Sequence, residues 1–275
     1  LALGSYEELF DCKEVDVVYV ATPHTSHAQW SIAAMDRGKH VLCEKPLGVN
    51  LREVTEIQAA AQRNRVFLME ALWSRFNPSI QKVRQLINTG EIGEIGYLHA
   101  DFAFYALDRE ENGRLLNPGL AGGSLLDIGI YPIFLAYLIL GKPTTIKASS
   151  HFYRTGVEIQ TAMLFEYPKA QALLFSGFSG NSEIKAWISG SLGSLYLHPR
   201  WHQAQGYTLE KGGTKQVVEL PTLGKGYTHE IGEVHQCLQS KKMESTLWSH
   251  QNSIDLSALL EKVREHCGIT FPMEK

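Results

Sequence analysis

Cysteine is scarce, and its placement argues against two kinds of site. The chain of 275 residues has four cysteines, Cys12, Cys43, Cys237 and Cys267. No two of them have the short spacing of a zinc site, and nothing else in the sequence suggests a secreted, disulfide-linked domain. We therefore expect reduced thiols, no metal centre and a cytoplasmic protein.

An excess of charge of either sign is also lacking. The 26 basic and 29 acidic residues give a net charge of −3 and are spread along the chain. A nucleic-acid-binding protein usually shows a basic excess or stripe. No apolar run approaches the roughly 20 residues that cross a bilayer, and the first residues do not resemble a signal peptide. We expect neither a nucleic acid nor a membrane as partner, and a small molecule as ligand.

A glycine-rich turn of the form GxGxxG is absent from the sequence. Such a turn normally follows the first strand of a dinucleotide-binding domain and places phosphates at a helix N-terminus. The nearest glycine cluster, residues 119–123, follows a loop, and we interpret it as shaping the start of the next helix. Because the chain also begins with Leu rather than Met, we expect a domain whose front part is missing.

Strands and helices alternate in the first part of the chain. Apolar, β-branched runs at 16–22, 40–45 and 66–73 predict buried strands, with helices at 24–38 and 50–64 between them. This alternation is typical of a parallel sheet with crossover helices. Ligands bind such sheets at the carboxyl ends of the strands, where the sequence places Thr22-Pro23-His24, Glu44-Lys45-Pro46 and Trp73-Ser74-Arg75.

The pattern changes after a helix predicted near 77–89. Short strands are predicted near 95–107, 145–153, 157–166, 170–179, 183–189 and 194–198, with glycine and proline between them. Tight connections of this kind indicate an antiparallel sheet. The apolar segment 125–140 and residues 228–240 and 249–267 predict helices. The expected fold is thus a truncated α/β part, residues 1–76, followed by an α+β part, residues 77–275.

Lys45 closes an apolar strand together with Glu44. A lysine held at the carboxyl end of a strand donates to a substrate hydroxyl and lowers the pKa of a neighbouring acid. Charged residues at strand ends are common, however, and a solvated lysine explains the same pattern.

Asp127 and Tyr131 lie four residues apart in the apolar segment 125–140, so they share one face of the predicted helix. A buried carboxylate there needs a partner, and a lysine from the other domain would serve. A lysine beside Tyr131 would favour the phenolate and lower a pKa that is ordinarily about 10. The alternative is an aspartate stabilised by the helix dipole and a tyrosine packed in the core.

His24 and His27 have a spacing that would suit a metal, but no third ligand is apparent. Hydrogen bonds to a ligand or a helix cap explain them equally well. Arg75 could hold a phosphate, or it could be a surface arginine next to a core Trp73.

Three segments carry a resemblance to a known family. VDVVYVATPHTSHAQWSIAAMDRGKHVLCEKPLGVN, MEALWSRFNP and AGGSLLDIGIYPI resemble the glucose–fructose oxidoreductase / inositol dehydrogenase (Gfo/Idh/MocA) family, and the likeness extends over nearly the whole chain. The resemblance implies a Rossmann domain, then a domain with a large, mostly antiparallel open sheet through which members form homo-oligomers such as dimers.

The resemblance also implies roles for particular residues. Lys45 matches the catalytic lysine, with a cis bond to Pro46, and Asp127 and Tyr131 match the acidic and the acid/base residue. Many members carry His in place of Tyr131. Cofactor-binding positions are matched at Thr22, Pro23, His24, His27, Glu44, Lys45, Trp73 and Arg75.

The implied activity is NAD(P)-dependent oxidation of a sugar or a vicinal diol, with NADP favoured over NAD. In the family, roughly sixty residues with the glycine turn precede the segment that begins this chain. We therefore expect the chain as it stands to bind cofactor weakly or not at all. A non-catalytic oligomeric scaffold or ligand-binding relative is the alternative function.

Overall fold

The computed structural model describes residues 2–274, which form two compact units. The first contains the residues up to Leu72 together with His229–Ala258, and the second contains Trp73–Thr228 and the residues from Leu259 onward. The sequence analysis placed a boundary near residue 76 but did not anticipate the return of 229–258 to the first unit. The functions assigned to 1–76 and 77–275 stay predictions.

A three-stranded parallel sheet forms the centre of the first unit. Its strands are β1 (Val17–Val20), β2 (His40–Glu44) and β3 (Leu68–Ala71), in that order. The helices α1 (Tyr6–Asp11), α2 (His27–Asp36) and α3 (Leu51–Asn64) accompany them, and a 3-10 turn, His24–Ser26, precedes α2. The parallel α/β expectation is therefore confirmed.

Helix α3 begins where the sequence predicted. The Asn50 side chain accepts a hydrogen bond from the backbone N–H of Glu53 at 2.9 Å, and the Glu53 carboxylate accepts one from the N–H of Val49 at 3.0 Å. These two bonds satisfy backbone donors that a helix N-terminus leaves without partners. The buried face of α3, with Val54 and Ile57, packs in the same core as Val41 and Cys43 of β2.

An eight-stranded sheet dominates the second unit. The strand order is β11-β10-β9-β8-β4-β7-β6-β5. All pairs are antiparallel except β4 with β7, which confirms the mostly antiparallel sheet. The strands are β4 (Ile95–Ala103), β5 (Thr145–Phe152), β6 (Glu158–Glu166), β7 (Gln171–Gly177), β8 (Ala186–Gly190), β9 (Gly193–Leu197), β10 (Gly206–Lys211) and β11 (Thr214–Glu219).

Helix α4 (Pro78–Asn88) leads into this sheet, and helices α6 (Tyr227–Gln239) and α7 (His250–Cys267) follow it. The sequence analysis missed α1 and the hairpin of β10 and β11. Strand β11 is exposed along nearly its whole length, so its residues lack the apolar alternation by which strands are recognised. Gly212 and Gly213 form the turn, each with positive φ.

The apolar segment 125–140 is not one regular helix. Residues Leu125–Gly129 form a π-helical turn, and α5 (Ile130–Leu140) continues from it. Contrary to the sequence expectation, the helical stretch Pro118–Leu140 is long and apolar enough to cross a membrane by length and composition, but 78% of its most apolar window is buried inside the protein. Such burial is what a core helix shows.

Candidate active site

The carboxyl end of β1 presents a buried hydroxyl. Among the residues that the structure describes, the Thr22 Oγ1 atom has no hydrogen-bond partner although it is shielded from solvent. A buried polar atom without a partner is costly, so this hydroxyl is suited to a polar ligand atom. The predicted site residues Thr22, Pro23 and His24 all lie here, between β1 and the start of α2.

His27 is fully buried and joins two loops of the first unit. Its Nδ1 lies 2.8 Å from the carbonyl oxygen of Pro46, and its Nε2 lies 2.9 Å from the carbonyl oxygen of Thr22. Burial lowers the pKa of this imidazole. Both ring nitrogens of His27 therefore lie at hydrogen-bond distance from backbone carbonyl oxygens of the first unit.

The Glu44-Lys45-Pro46 turn is fixed at the carboxyl end of β2. The Glu44 carboxylate accepts hydrogen bonds from the Tyr19 hydroxyl and, at 3.2 Å, from the Lys45 backbone N–H. The Lys45–Pro46 bond is cis, as the resemblance implied.

Glu70 is a buried carboxyl that the sequence analysis missed. Its Oε1 accepts from the Leu47 N–H at 3.0 Å, and its Oε2 accepts from Ser253 Oγ at 2.6 Å and from Trp248 Nε1 at 3.2 Å. Burial raises the pKa of Glu70, whereas these bonds and the Lys45 charge lower it. The carboxyl thus holds the chain two residues beyond Lys45. An acidic residue inside the otherwise apolar strand Leu68–Ala71 was the signal in the sequence that could have revealed Glu70.

Glu230 near the start of α6 is a second buried carboxyl of the first unit. Burial, and next the charge of Glu44, raise its pKa to about 8. Its Oε2 has no partner among residues 2–274. The Glu230 carboxyl is therefore protonated at neutral pH. Its protonation depends on the charge of Glu44, the residue next to Lys45.

Tyr131 is buried in the second unit, with its hydroxyl placed by a tryptophan. The Trp73 Nε1–H donates to the Tyr131 oxygen over 2.8 Å. An indole N–H only donates, so this bond stabilises a phenolate more than a phenol. Trp73 lies in a 3-10 turn, Trp73–Phe76, just after β3.

Aromatic rings surround the Tyr131 side chain. The His202 ring stacks on Phe102 with centroids 4.3 Å apart, and both lie within 6 Å of the Tyr131 ring centroid, at 5.6 and 5.5 Å. Tyr227 packs against Trp73 at 5.0 Å. Nothing near His202 in the sequence indicates a site, and only the sheet and its loops place it here.

Asp127 pairs with an arginine of its own unit. Arg114 Nη1 donates to Asp127 Oδ1 over 2.7 Å. Arg114 lies on the loop after β4, whose residues 104–115 partly line a cavity of about 380 Å³. The sequence analysis expected a lysine as partner and missed Arg114, since a loop arginine carries no periodic signal.

The predicted site residues fall into two groups. Thr22, Pro23, His24, His27, Glu44 and Lys45 belong to the first unit, and Trp73, Arg75, Asp127 and Tyr131 belong to the second. Arg75 is 1% exposed, so it is not a surface arginine. The catalytic and cofactor-binding roles of these residues stay predictions.

Comparison with known protein families shows the class of protein to which this chain belongs. Residues 2–72 match the family described as "Oxidoreductase family, NAD-binding Rossmann fold", and residues 80–196 match the "GFO/IDH/MocA C-terminal domain". The protein is thus an oxidoreductase with an NAD-binding Rossmann fold. The chain belongs to the GFO/IDH/MocA family, which confirms the resemblance.

Two curated relatives cover most of the chain. A trans-1,2-dihydrobenzene-1,2-diol dehydrogenase of Mus musculus is 36% identical over 100% of this chain and 84% of its own length. A D-xylose 1-dehydrogenase (NADP(+)) of Hypocrea jecorina is 32% identical over 98% of this chain and 77% of its own. The names of both relatives agree with the oxidation of a sugar or a vicinal diol that the family resemblance implied.

Solved structures agree with the fold. The aldose–aldose oxidoreductase of Caulobacter crescentus, complexed with glycerol, superposes with a TM-score of 0.87 at 25% identity, covering 96% of this chain and 80% of that one. The 3-ketoreductase KijD10 of Actinomadura kijaniata, in complex with NADP and TDP-benzene, gives 0.86 at 27% identity, with 96% and 82% covered.

Proposed function

We propose that this oxidoreductase is an NADP-dependent dehydrogenase that oxidises a hydroxyl of a sugar or a vicinal diol. The observation that carries the proposal is the buried Tyr131 hydroxyl, which accepts a hydrogen bond from Trp73 and lies one helical turn beyond Asp127. The names of the relatives, which include a diol dehydrogenase and an NADP-dependent xylose dehydrogenase, support the substrate class and the cofactor.

Tyr131 is proposed as the acid/base residue. In the oxidation its phenolate takes the proton of the substrate hydroxyl, and in the reverse reaction its phenol returns it. The Trp73 indole N–H donates to the Tyr131 oxygen and stabilises its phenolate form. Lys45 supplies an ammonium that holds the substrate oxygen, and Asp127, which accepts a hydrogen bond from Arg114, is proposed to orient Tyr131 and Lys45.

The residues at the strand ends fit a nicotinamide cofactor. Thr22 Oγ1 is buried without a partner in the described chain and offers both a donor and an acceptor. Pro23, His24, His27, Glu44 and Lys45 are proposed to hold the cofactor with it, as are Trp73 and Arg75. When bound, the nicotinamide supplies the hydride acceptor of the oxidation.

A homo-oligomer, such as a dimer, is proposed through one face of the eight-stranded sheet. The strand register aligns a row of partly or fully exposed side chains that crosses all eight strands, and most of them are apolar or aromatic. A continuous apolar face of this size marks an interaction site on a soluble protein. The row consists of Lys147, Leu164, Leu173, His99, Trp187, Tyr196, Thr208 and Val217.

The activity is tested by NADP reduction with the full-length protein over a panel of aldoses and cyclic diols. We expect turnover with one of these classes, and a loss of kcat of about 10²-fold or more for Lys45→Met and for Tyr131→Phe. Lys39→Met, away from the strand ends, is the matched control. Near-normal turnover of either active-site variant contradicts its assigned role.

Cofactor titration separates this proposal from the scaffold alternative. If the protein is an NADP-dependent enzyme, it binds NADP, and the quenching of its tryptophan fluorescence should saturate as NADP is added. Absence of binding in the full-length protein, with the fold intact by circular dichroism, would favour a non-catalytic scaffold.

A further inference from the structure

A buried carboxyl that the proposed reaction does not use lies at the start of the Asp127–Tyr131 segment. Glu158, the first residue of β6, is 2% exposed. Its Oε1 accepts from the backbone N–H of Leu125 and, at 3.3 Å, from Ser124 Oγ. Ser124 Oγ lies 3.1 Å from Ser176 Oγ on β7. The sheet thus holds the start of the π-helical turn through two side chains, Glu158, which bonds to Ser124 and Leu125, and Ser176, which bonds to Ser124.

Gly123 is shaped around this carboxyl. A Cβ atom at Gly123 would lie 1.7 Å from Glu158 Oε2, and the backbone there has φ of +122°. Only glycine therefore lets the carboxyl reach the helix start. This contact explains the last glycine of the cluster 119–123.

The anchored residues lead directly to the proposed catalytic groups. Leu125 opens the π-helical turn that contains Asp127, and Tyr131 is the second residue of α5 beyond it. A π-helical turn inside a helix is uncommon and often occurs at functional sites. Its register depends on where its first N–H groups are held, because these have no partners within the helix.

We propose that Glu158 is a positioning residue, which sets the register of the turn 125–129 and thereby the places of the Asp127 and Tyr131 side chains. This inference rests on the proposed roles of those two residues. Glu158 touches neither substrate nor cofactor in this scheme and acts through the backbone of Leu125.

Two groups from α7 face Glu158 and bear on its charge. Burial raises the pKa of Glu158 to about 8, and Arg264 lowers it in part. The second group is the Cys267 thiol. Burial raises the pKa of this thiol, and the charge of Glu158 contributes to the rise. The carboxyl is therefore neutral at pH 7, and a glutamine, which keeps the acceptor oxygen, is a close substitute.

The test compares three substitutions at this position in the full-length protein at pH 7. Glu158→Gln should keep kcat within about twofold of the parent. Glu158→Ala and the shorter Glu158→Asp should lose about tenfold or more in kcat with KM for NADP unchanged, because a displacement of about 1 Å of a catalytic group costs up to 10²-fold. If the Glu158→Asp and Glu158→Ala variants have the same kcat as the Glu158→Gln variant, the proposal is overturned.

A double substitution distinguishes positioning from a general loss of stability. In a Tyr131→Phe background, Glu158→Asp should produce little further loss, since the group that it places is gone. A full additional tenfold loss there would contradict action through Tyr131. If Tyr131→Phe itself retains parental turnover, the proposed function fails, whereas normal turnover of Glu158→Asp beside an inactive Tyr131→Phe overturns only this inference.

Discussion

The Trp73 Nε1 atom lies 2.8 Å from the Tyr131 hydroxyl oxygen and donates a hydrogen bond to it within a cluster of aromatic rings. This relationship assigns a chemical role to a tryptophan that the sequence suggested only as a cofactor contact. It also gives a direct way to test the chemistry of Tyr131 without removing its hydroxyl.

Trp73→Phe should lower kcat by about tenfold or more, because a hydrogen bond to a charged group such as a phenolate contributes roughly 1.5–3 kcal/mol. The ring packing against Tyr227 would be largely kept. Steady-state kinetics check this, with Trp187→Phe on the sheet face as the matched control. An unchanged kcat would show that the indole N–H does not act on Tyr131.

Arg114→Gln removes a charged partner of Asp127. We expect kcat to fall by about tenfold while the free energy of unfolding changes by less than about 1 kcal/mol, since the Arg114 side chain is largely exposed. Arg109→Gln is the control, since Arg109 lies on the same loop and pairs with its neighbour Asp108. Equal kinetics of the two variants would rule out a role for the Arg114–Asp127 pair.

Glu70→Leu leaves two buried donors of the first unit without their acceptor, the Leu47 N–H and the Ser253 hydroxyl, and removes one of the two acceptors of the Trp248 indole N–H. Each unsatisfied buried group costs about 1–3 kcal/mol. Urea denaturation should therefore show a loss of more than about 2 kcal/mol. Glu56→Leu, on the exposed face of α3, provides the comparison, and similar losses in both variants would refute the anchoring role.

Glu230 predicts a pH dependence of stability. The folded protein keeps a proton on this carboxyl up to about pH 8, whereas a glutamate in the unfolded chain releases it near 4.5. The free energy of unfolding should consequently fall as pH rises from about 4.5 to 8.

Glu230→Gln should flatten that slope, measured by denaturation at several pH values. Part of the slope should persist, because Glu158 titrates in the same window. Glu56→Gln serves as the exposed control. A variant slope as steep as that of the parent would show that Glu230 is ionised in the folded protein.

Leu173→Asp tests the sheet face as the oligomer interface. Leu173 is 42% exposed and lies in the middle of the row across the sheet. A buried charge without a partner is costly, so this variant should elute as a monomer at a concentration where the parent is an oligomer. Leu192→Asp, in the turn between β8 and β9, should leave assembly unchanged. Unchanged assembly of Leu173→Asp would move the interface elsewhere.

Local sequence patterns sufficed for most of the regular structure. The buried strands around 17–20, 40–44 and 68–71, the Asn50 cap of α3 and the Glu44-Lys45-Pro46 motif all follow from residue type and spacing. The exposed strand β11 and the π-helical turn at 125–129 were not predicted. The residue pattern of β11 does not differ from that of a loop, and the pattern of the π-helical turn does not differ from that of an ordinary helix.

Sequence by itself determined the alternation of elements and the family, since hydrophobic periodicity and short motifs are local properties that survive without knowledge of the fold. Only the tertiary structure decided which side chains complete the candidate site. Arg114 and His202 lie 17 and 71 positions from Tyr131 along the chain, and Glu70 and Glu158 are buried acids whose partners come from distant segments. Such groups are placed by sheet register and burial, which set their hydrogen bonds and pKa values and leave no mark on the neighbouring sequence.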